Sequence, residues 1–201
     1  GEQMLTVLYG ESADLLAHIV RFYAPTAPTL LDITHGRGTL TKKLTIKVVG
    51  VDKDPTSRAT IIADLGNLPL DADSFRLACF DPPYLYGVQA MHMGPVGQKA
   101  WNSSRSTLKV PADFVKLAAD AARELARVLI VGGLVIIKVM DSRFKGQLVR
   151  NHDICIAAFE QCGFRLHDVL IYIRTVTGSF TNTKSAQSAH GYYIIMECNA
   201  P

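Results

Sequence analysis

The sequence predicts an α/β fold in which a mostly parallel, seven-stranded sheet carries helices on both faces and ends in an antiparallel hairpin. The first observation behind this prediction is that short apolar, β-branched runs alternate with amphipathic helical segments. Such alternation is typical of parallel sheets, because a helical crossover joins each strand to its parallel neighbour. The second observation is that no helical segment separates the last two apolar runs, which predicts a hairpin on an otherwise parallel sheet.

The predicted strands are short apolar runs that stop at polar, glycine or proline residues. They comprise Thr29 to Ile33, Lys47 to Val51, Thr60 to Ala63, Arg76 to Phe80, Leu134 to Met140, Arg165 to Arg174 and Tyr192 to Cys198. About seven residues separate Asp52 from Thr60, whereas a helical crossover needs about 10 to 12. We therefore expect a turn, not a helix, between the second and third strands.

Four helices are predicted from apolar residues at helical spacing and from local start and stop signals. They run from Ser12 to the residues before Pro25, from Thr39 to Leu44, from Asp113 to Leu129, and from about Asn151 to Gly163. Gly132 and Gly133 are expected to break the third helix before the strand that follows it, since glycine is a poor helix former.

The composition sets limits on the class of protein. With 201 residues, 48% of them hydrophobic, the chain can bury a core of its own, and we expect a single domain over residues 1–201. No apolar run approaches the ~20 residues of a membrane helix, and no signal segment is visible, so we expect a cytoplasmic protein without a membrane partner. The four cysteines lack paired metal-ligand spacing, which indicates buried free thiols and no metal.

Basic residues are concentrated in one part of the chain. The formal charge of +3 alone is too small to indicate a nucleic-acid partner, but residues 82–112 contain no acid. Much of this stretch lacks periodicity and is interpreted as a long loop, and long loops inside compact domains are usually functional. The predicted nucleic-acid contacts in it are Lys99, Trp101, Arg105 and Lys109. An anchoring role for the tryptophan within the loop is the alternative.

Glycines and acids follow four of the predicted strands. Gly36 and Gly38 follow the first strand, Asp52 the second, Asp64 the third, and the motif 81–84, Asp-Pro-Pro-Tyr, the fourth. Because the carboxyl ends of parallel strands meet at one edge of a sheet, we expect these residues to line one crevice. A glycine turn lets the backbone approach a ligand, and an acid at the next strand end can accept hydrogen bonds from a ribose diol. Two consecutive prolines directly after a buried strand are a poor choice for folding alone, so motif 81–84 indicates a functional site.

These stretches resemble the class I S-adenosylmethionine-dependent methyltransferases, and among them the amino-methyltransferases that act on adenine N6 or cytosine N4 in DNA or RNA. The resemblance rests on residues 30–38, 49–52, 64–65 and 81–84. It implies a Rossmann-like methyltransferase fold with S-adenosyl-L-methionine as the cofactor. It also implies cofactor contacts from Asp32, Gly36 and Gly38 at the methionine end, from Asp52 at the ribose, and from Asp64 and Leu65 at the adenine, with Thr34 as a further cofactor contact.

The same resemblance implies that Asp81, Pro82, Pro83 and Tyr84 form the catalytic centre. The Asp81 carboxylate and the Pro82 carbonyl would accept the two hydrogens of an exocyclic amine and aim its nitrogen for direct in-line methyl transfer. Tyr84 would stack on the base, which has to be flipped out of a duplex. Adenine N6 in DNA is the favoured target, because cytosine N4 enzymes more often resemble Ser-Pro-Pro-Tyr at this motif.

Several alternatives stay open on the sequence alone. One is an RNA base amino-methyltransferase acting on adenine N6, cytosine N4 or guanine N2, and another is an inactive methyltransferase-like subunit that binds nucleic acid. No separate target-recognition domain is visible, so recognition is expected from loops, from a second subunit or from a homodimer. Cytosine C5 methylation needs a thiolate, and Cys79 lies in an apolar run that predicts a core role. Lys138 is similar to the catalytic lysine of ribose 2′-O-methyltransferases, but a lysine at a strand end is expected to reach solvent.

Overall fold

The structure of the protein, a computed structural model, describes residues 3–86, 108–173 and 189–199. Three helices lie in these ranges: α1 (Ser12–Tyr23), α2 (Pro111–Val128) and α3 (Asn151–Gln161). The strands are β1 (Val7–Tyr9), β2 (Thr29–Asp32), β3 (Lys47–Asp52), β4 (Ile61–Ile62), β5 (Phe75–Phe80), β6 (Leu129–Val139), β7 (Ser142–Phe144), β8 (Gln147–Val149), β9 (Phe164–Ile173) and β10 (His190–Cys198).

Eight strands form one sheet in the order β1-β9-β10-β6-β5-β2-β3-β4. Only β10 runs antiparallel to its neighbours, β6 and β9, while every other pairing in this sheet is parallel. The prediction of a mostly parallel sheet with a late antiparallel pair is therefore confirmed. The sheet has eight strands and not seven, because β1 adds to its edge beside β9. Three residues with one buried position give too short an alternation to be recognised in the sequence.

Helices cover both faces of the sheet, as predicted. On one face, Leu15, Leu16 and Ile19 of α1 pack in a core with Leu77 and Cys79 of β5. On the other face, α2 and α3 pack in a second core. This core contains the residues of β5 that alternate with Leu77 and Cys79, namely Ala78 and Phe80. Because successive side chains of a strand point to opposite faces, each side chain of β5 belongs to one of the two cores. The strand ends, where pairing stops, are left to form a site.

Two of the predictions of secondary structure are wrong. The helix expected from Thr39 to Leu44 is a series of turns, of which only Leu44 N to Thr41 O closes by a backbone hydrogen bond within the segment. A segment of six residues, four of them polar, is too short to offset the cost of helix nucleation. Gly132 and Gly133 do not precede the strand but lie within β6, where the β5–β6 register shifts. A Cβ on Gly133 would lie 2.8 Å from the Ile130 carbonyl oxygen, so this bulge requires glycine.

The order of the strands places the ligand crevice. The chain passes from β2 outward to β3 and β4, then returns to add β5 on the other side of β2. Ligands of open parallel sheets bind at the carboxyl ends of the strands beside such a reversal. No helix fills the connection between β3 and β4, as the short spacing predicted. The carboxyl ends of β2, β3 and β5 therefore lie open to a ligand.

A buried asparagine ties the segment after β5 to the segment after β6. Asn151, which begins α3, donates from Nδ2 to the Met140 carbonyl oxygen at 2.9 Å and to Ser142 Oγ at 3.0 Å. Its Oδ1 accepts a hydrogen bond from the Tyr86 hydroxyl at 2.5 Å. Tyr86 in turn forms a backbone bridge with Leu108, so one amide fixes the chain just beyond motif 81–84.

We expect the substitution Asn151→Leu to lower the free energy of unfolding by about 3 kcal/mol, because it leaves buried polar partners without a hydrogen bond. Urea unfolding followed by circular dichroism measures this change. Asn67→Leu, at an exposed asparagine, is the control and should change stability little. Equal effects of the two substitutions would contradict a structural role for the Asn151 hydrogen bonds.

Candidate functional site

A cavity of about 790 Å³ opens at the carboxyl ends of β2, β3 and β5. The predicted site residues that line it are Thr34, Gly36, Asp52, Asp64, Leu65, Asp81, Pro82, Pro83 and Tyr84. They come from four separate strand ends, and the parallel order of the sheet brings them together. The far wall belongs to α2, through Lys116, Leu117 and Asp120, which the sequence analysis did not identify. Their helical spacing was visible, but nothing in the sequence indicates which helix faces the crevice.

Asp32 and Gly38, two predicted cofactor contacts, do not line this cavity. The buried Asp32 carboxylate accepts hydrogen bonds from Thr34 N at 3.2 Å and from His35 Nδ1 at 2.9 Å. The hydrogen bond to Asp32 raises the pKa of His35, while burial opposes the rise. The His35 ring lies where a side chain at position 50 would be if that residue were not glycine, because a Cβ on Gly50 would lie 2.4 Å from the ring. Asp32 thus supports the glycine turn from beneath.

The turn itself is held by Asp52. Gly36 N donates to Asp52 Oδ2 and Asp54 N donates to Asp52 Oδ1, each at 2.8 Å. Gly36 has a φ of +53°, a conformation that favours glycine. Two backbone donors fix the plane of the carboxylate, and each oxygen keeps a lone pair for a further hydrogen bond. Asp52 is therefore an oriented double acceptor on the cavity wall.

The connection after β3 is also shaped by carboxylates. The buried Asp54 accepts hydrogen bonds from Thr56 N and Thr56 Oγ1, both at 2.8 Å. The exposed Asp64 accepts a hydrogen bond from Gly66 N at 2.8 Å. Side-chain hydrogen bonds of this kind stabilise turns where no helix forms. They hold Asp54 and Asp64 at the cavity although the usual crossover helix is missing.

Asp81 is joined to both neighbouring strands. Its backbone N donates to Thr34 Oγ1 at 2.8 Å, which links it to the end of β2. Its Oδ1 accepts a hydrogen bond from Lys138 Nζ at 3.0 Å, which links it to β6. Lys138 is about 10% exposed in its side chain, so the expectation that it reaches solvent is wrong. The register explains why: Phe80 pairs with Ile137, and the next residues, Asp81 and Lys138, follow side by side.

The protonation states of this pair depend on burial and on their mutual attraction. Burial raises the pKa of Asp81, and the ammonium group of Lys138 opposes that rise. Burial alone would lower the pKa of Lys138, but the negative charge of Asp81, together with smaller contributions from Tyr84, Tyr172 and Tyr193, outweighs burial and raises the pKa above the usual value. Lys138 therefore keeps its proton at neutral pH.

Tyr84, the last residue of motif 81–84, is half-buried, and its carbonyl oxygen accepts a hydrogen bond from Asn151 Nδ2 at 3.3 Å. Lys109 is exposed, precedes α2 and does not line the cavity, while its backbone N donates to Asp113 Oδ2 at 2.7 Å. The other predicted nucleic-acid contacts, Lys99, Trp101 and Arg105, lie outside the described residues. The nucleic-acid contacts therefore stay a prediction.

Cys79 lies in the core beneath Asp81, and burial raises the pKa of its thiol well above the usual value. It is not a nucleophile at the strand end. Its core role is thus confirmed, and all four cysteines are free. Within residues 3–86, 108–173 and 189–199, no group of three or more potential metal ligands is placed to hold an ion. No helix in the same ranges is long and apolar enough to cross a membrane.

No protein-family model and no curated protein matches this sequence. Solved structures do match its fold. An S-adenosylmethionine-dependent methyltransferase from Methanosarcina mazei is 13% identical over 89% of this chain and 96% of its own, with a TM-score of 0.54. A TehB-like S-adenosylmethionine-dependent methyltransferase from Corynebacterium glutamicum is 16% identical over 90% and 86%, with a TM-score of 0.50.

A protein from Pyrococcus horikoshii, whose name states no activity, is 14% identical over 92% of this chain and 88% of its own, with a TM-score of 0.52. At such low identity these likenesses concern architecture and not activity. The chain has the Rossmann-like fold found in S-adenosylmethionine-dependent methyltransferases.

Proposed function

We propose that this protein is an S-adenosylmethionine-dependent methyltransferase that modifies an exocyclic amino group of a nucleic-acid base, with adenine N6 in DNA as the favoured target. The observation that carries the proposal is the meeting of motif 81–84 with Asp52 in one cavity of a methyltransferase-like fold. Asp52, a candidate acceptor for the ribose hydroxyls, and Asp81, a candidate acceptor for an amine, then line the same cavity. Fold alone would not support a substrate, so the proposal depends on these side chains.

The cavity suits the cofactor in size and in charge. Its volume of about 790 Å³ lies in the range of small-molecule sites. Among the described lining residues, six carboxylates face four cationic side chains, which favours a positively charged ligand. S-adenosylmethionine supplies such a charge, a sulfonium whose methyl group is electrophilic.

Each part of the cofactor has a candidate partner. Asp52 would accept hydrogen bonds from the ribose hydroxyls through the lone pairs that its backbone donors leave free. Asp64 and Leu65 would contact the adenine, and Thr34 and Gly36 the methionine end. Asp32 and Gly38 would act indirectly, by holding the turn in shape.

Asp81 would orient the amine. An exocyclic amine is a poor nucleophile because its lone pair is delocalised into the ring, so hydrogen-bond acceptors that localise this pair promote the reaction. Asp81 Oδ2 and the Pro82 carbonyl would accept the two amine hydrogens. As the new nitrogen–carbon bond formed, the methyl–sulfur bond of the sulfonium would break and S-adenosylhomocysteine would leave. The nitrogen would become cationic and would release one proton, which Asp81 or solvent would accept. The transfer is direct, and Tyr84 would stack on the base to hold it in line.

A ribose hydroxyl is the second candidate target, and the presence of Lys138 beside Asp81 is the observation that favours it. A lysine near a hydroxyl can act as a base only when it has lost its proton. The negative charge of Asp81 raises the pKa of Lys138, so this lysine remains an ammonium ion. An amine target needs an acceptor carboxylate and no deprotonated lysine, and it is therefore preferred.

We expect the purified protein to transfer radiolabelled methyl groups from S-adenosylmethionine to duplex DNA, with the label recovered in N6-methyldeoxyadenosine after digestion. Single-stranded DNA and total RNA are assayed in parallel, since label in an RNA base amine would move the substrate to RNA. Label in a 2′-O-methyl nucleoside would favour the hydroxyl target. Binding of cofactor and nucleic acid without any transfer would contradict the enzymatic proposal and favour a non-catalytic subunit.

We expect Asp81→Ala to reduce the methyl-transfer rate by about 1000-fold, because the amine loses its charged acceptor. Affinity for the cofactor should change by about twofold at most, since Asp81 touches the target and not the ribose. Initial-rate kinetics and calorimetric binding measure the two effects. Asp71→Ala, at an exposed acid, is the control. Normal turnover by the Asp81 variant would exclude the proposed centre.

We expect Asp52→Ala to weaken cofactor binding by about 10- to 100-fold, because hydrogen bonds to a charged group are lost together with the two backbone contacts that shape the turn. Isothermal titration calorimetry with S-adenosylhomocysteine measures this affinity, and Asp71→Ala again serves as the control. An unchanged dissociation constant would place the cofactor elsewhere.

A further inference from the structure

Lys138 is a buried lysine whose ammonium group donates a hydrogen bond to Asp81 Oδ1. Lysine is seldom buried without a partner, because removing an ammonium group from water is unfavourable. Side chains on alternate positions of β6, such as Ile136, face the α1 side of the sheet together with Cys79. Lys138 lies two residues beyond Ile136, and Asp81 lies two residues beyond Cys79. Both charged side chains therefore lie on this same side of the sheet and next to each other.

The pair lies between two cavities. Lys138 and Asp81 line the large cavity, and they also line a second, polar cavity of about 250 Å³ beside the start of α1. Asp81 Oδ1 accepts the hydrogen bond from Lys138, whereas Oδ2 accepts none from the residues that the structure describes. One carboxylate oxygen is thus anchored, and the other is left for a ligand.

The groups around the pair are mostly acids and phenols. The carboxylate of Asp32, on β2, raises the pKa of Asp81, as burial does. Cys79, Tyr84, Tyr172 and Tyr193 also interact electrostatically with the pair, and Glu11 and Lys42 line the second cavity. The Tyr172 ring lies 5.8 Å from Lys138 Nζ, which further stabilises the ammonium form. Of the described cations, only Lys138 forms a salt bridge with Asp81.

We propose that Lys138 is a positioning residue of the transferase centre, which keeps Asp81 ionised and anchors its Oδ1 so that Oδ2 faces the target amine. This proposal rests on the proposed function. A protonated Asp81 would be a donor at one oxygen and could not orient an amine that must itself donate. Lys138 acts through Asp81, touches no reacting atom and keeps its own proton throughout.

The consequence is a defined pH dependence. Without Lys138, burial and Asp32 act on Asp81 unopposed, so the pKa of its carboxyl group rises. The ionised form is then present only above the raised pKa, and the acid limb of kcat/KM moves to higher pH by about 1 to 3 units. Activity lost at neutral pH should return as the pH rises, which a purely structural defect would not produce.

The test compares Lys138→Met and Lys138→Arg with the wild type. Carbon NMR of protein labelled at aspartate follows the Asp81 carboxyl group, whose signal is identified by its absence in Asp81→Asn. We expect its titration midpoint and the acid limb of kcat/KM to rise together in Lys138→Met, and both to return toward wild type in Lys138→Arg. Lys47→Met removes an exposed charge at the start of β3 and should leave both unchanged.

Folding and function are controlled separately. Circular dichroism checks that each variant is folded, and the double variant Asp81→Asn, Lys138→Met avoids a buried unpaired charge. If Lys138 acts through Asp81, the double variant should be no slower than Asp81→Asn alone. An unchanged carboxyl midpoint in Lys138→Met overturns the proposal. Because that midpoint is read without substrate, it decides the role of Lys138 even if the wild type transfers no methyl group to an amine, a result that would refute only the proposed function.

Discussion

The candidate site depends on the junction at Asp81. Its backbone N is bound by Thr34 of the β2 end, and its carboxylate by Lys138 of β6, so three adjacent strand ends are fixed by one residue. The prolines that follow cannot extend β5, and they turn the chain out of the sheet at this point. Removing either partner would leave a buried charge or an unbound backbone donor, and both are unfavourable in a partly dry site. Position and protonation of Asp81 are therefore set by the same contacts.

The end of β2 is stabilised by a different arrangement. The buried Asp32 pairs with the partly buried His35 beneath the glycine turn, and Gly50 leaves the space that the imidazole ring fills. Asp52 then holds the turn from the side of β3 through Gly36 N. The cavity wall is thus fixed before any ligand arrives, which reduces the entropy lost on binding.

Much of this arrangement could be predicted from the sequence, because strand ends marked by Asp52 and by motif 81–84 must meet at one edge of a parallel sheet. The role of Lys138 could not be predicted from the sequence, because the direction of its side chain depends on the β5–β6 register beyond the bulge at Gly132 and Gly133. The inward orientation of Asp32 was equally hidden, because it requires the space at Gly50, a residue from another strand. Local pattern therefore identifies strand ends, whereas pairing across strands decides which side chains meet.

The missing helices influence how the cavity can hold a charged ligand. In many nucleotide-binding sheets a helix begins directly after the glycine turn and its free N–H groups favour an anion. Here turns follow both β2 and β3, and the N–H groups of Gly36 and Asp54 are taken by the Asp52 carboxylate. The turn therefore presents carboxylate oxygens to the cavity in place of free donors. Such a wall favours hydroxyl groups and a positive charge over phosphate, which is the preference expected for a sulfonium-bearing nucleoside and not for a dinucleotide.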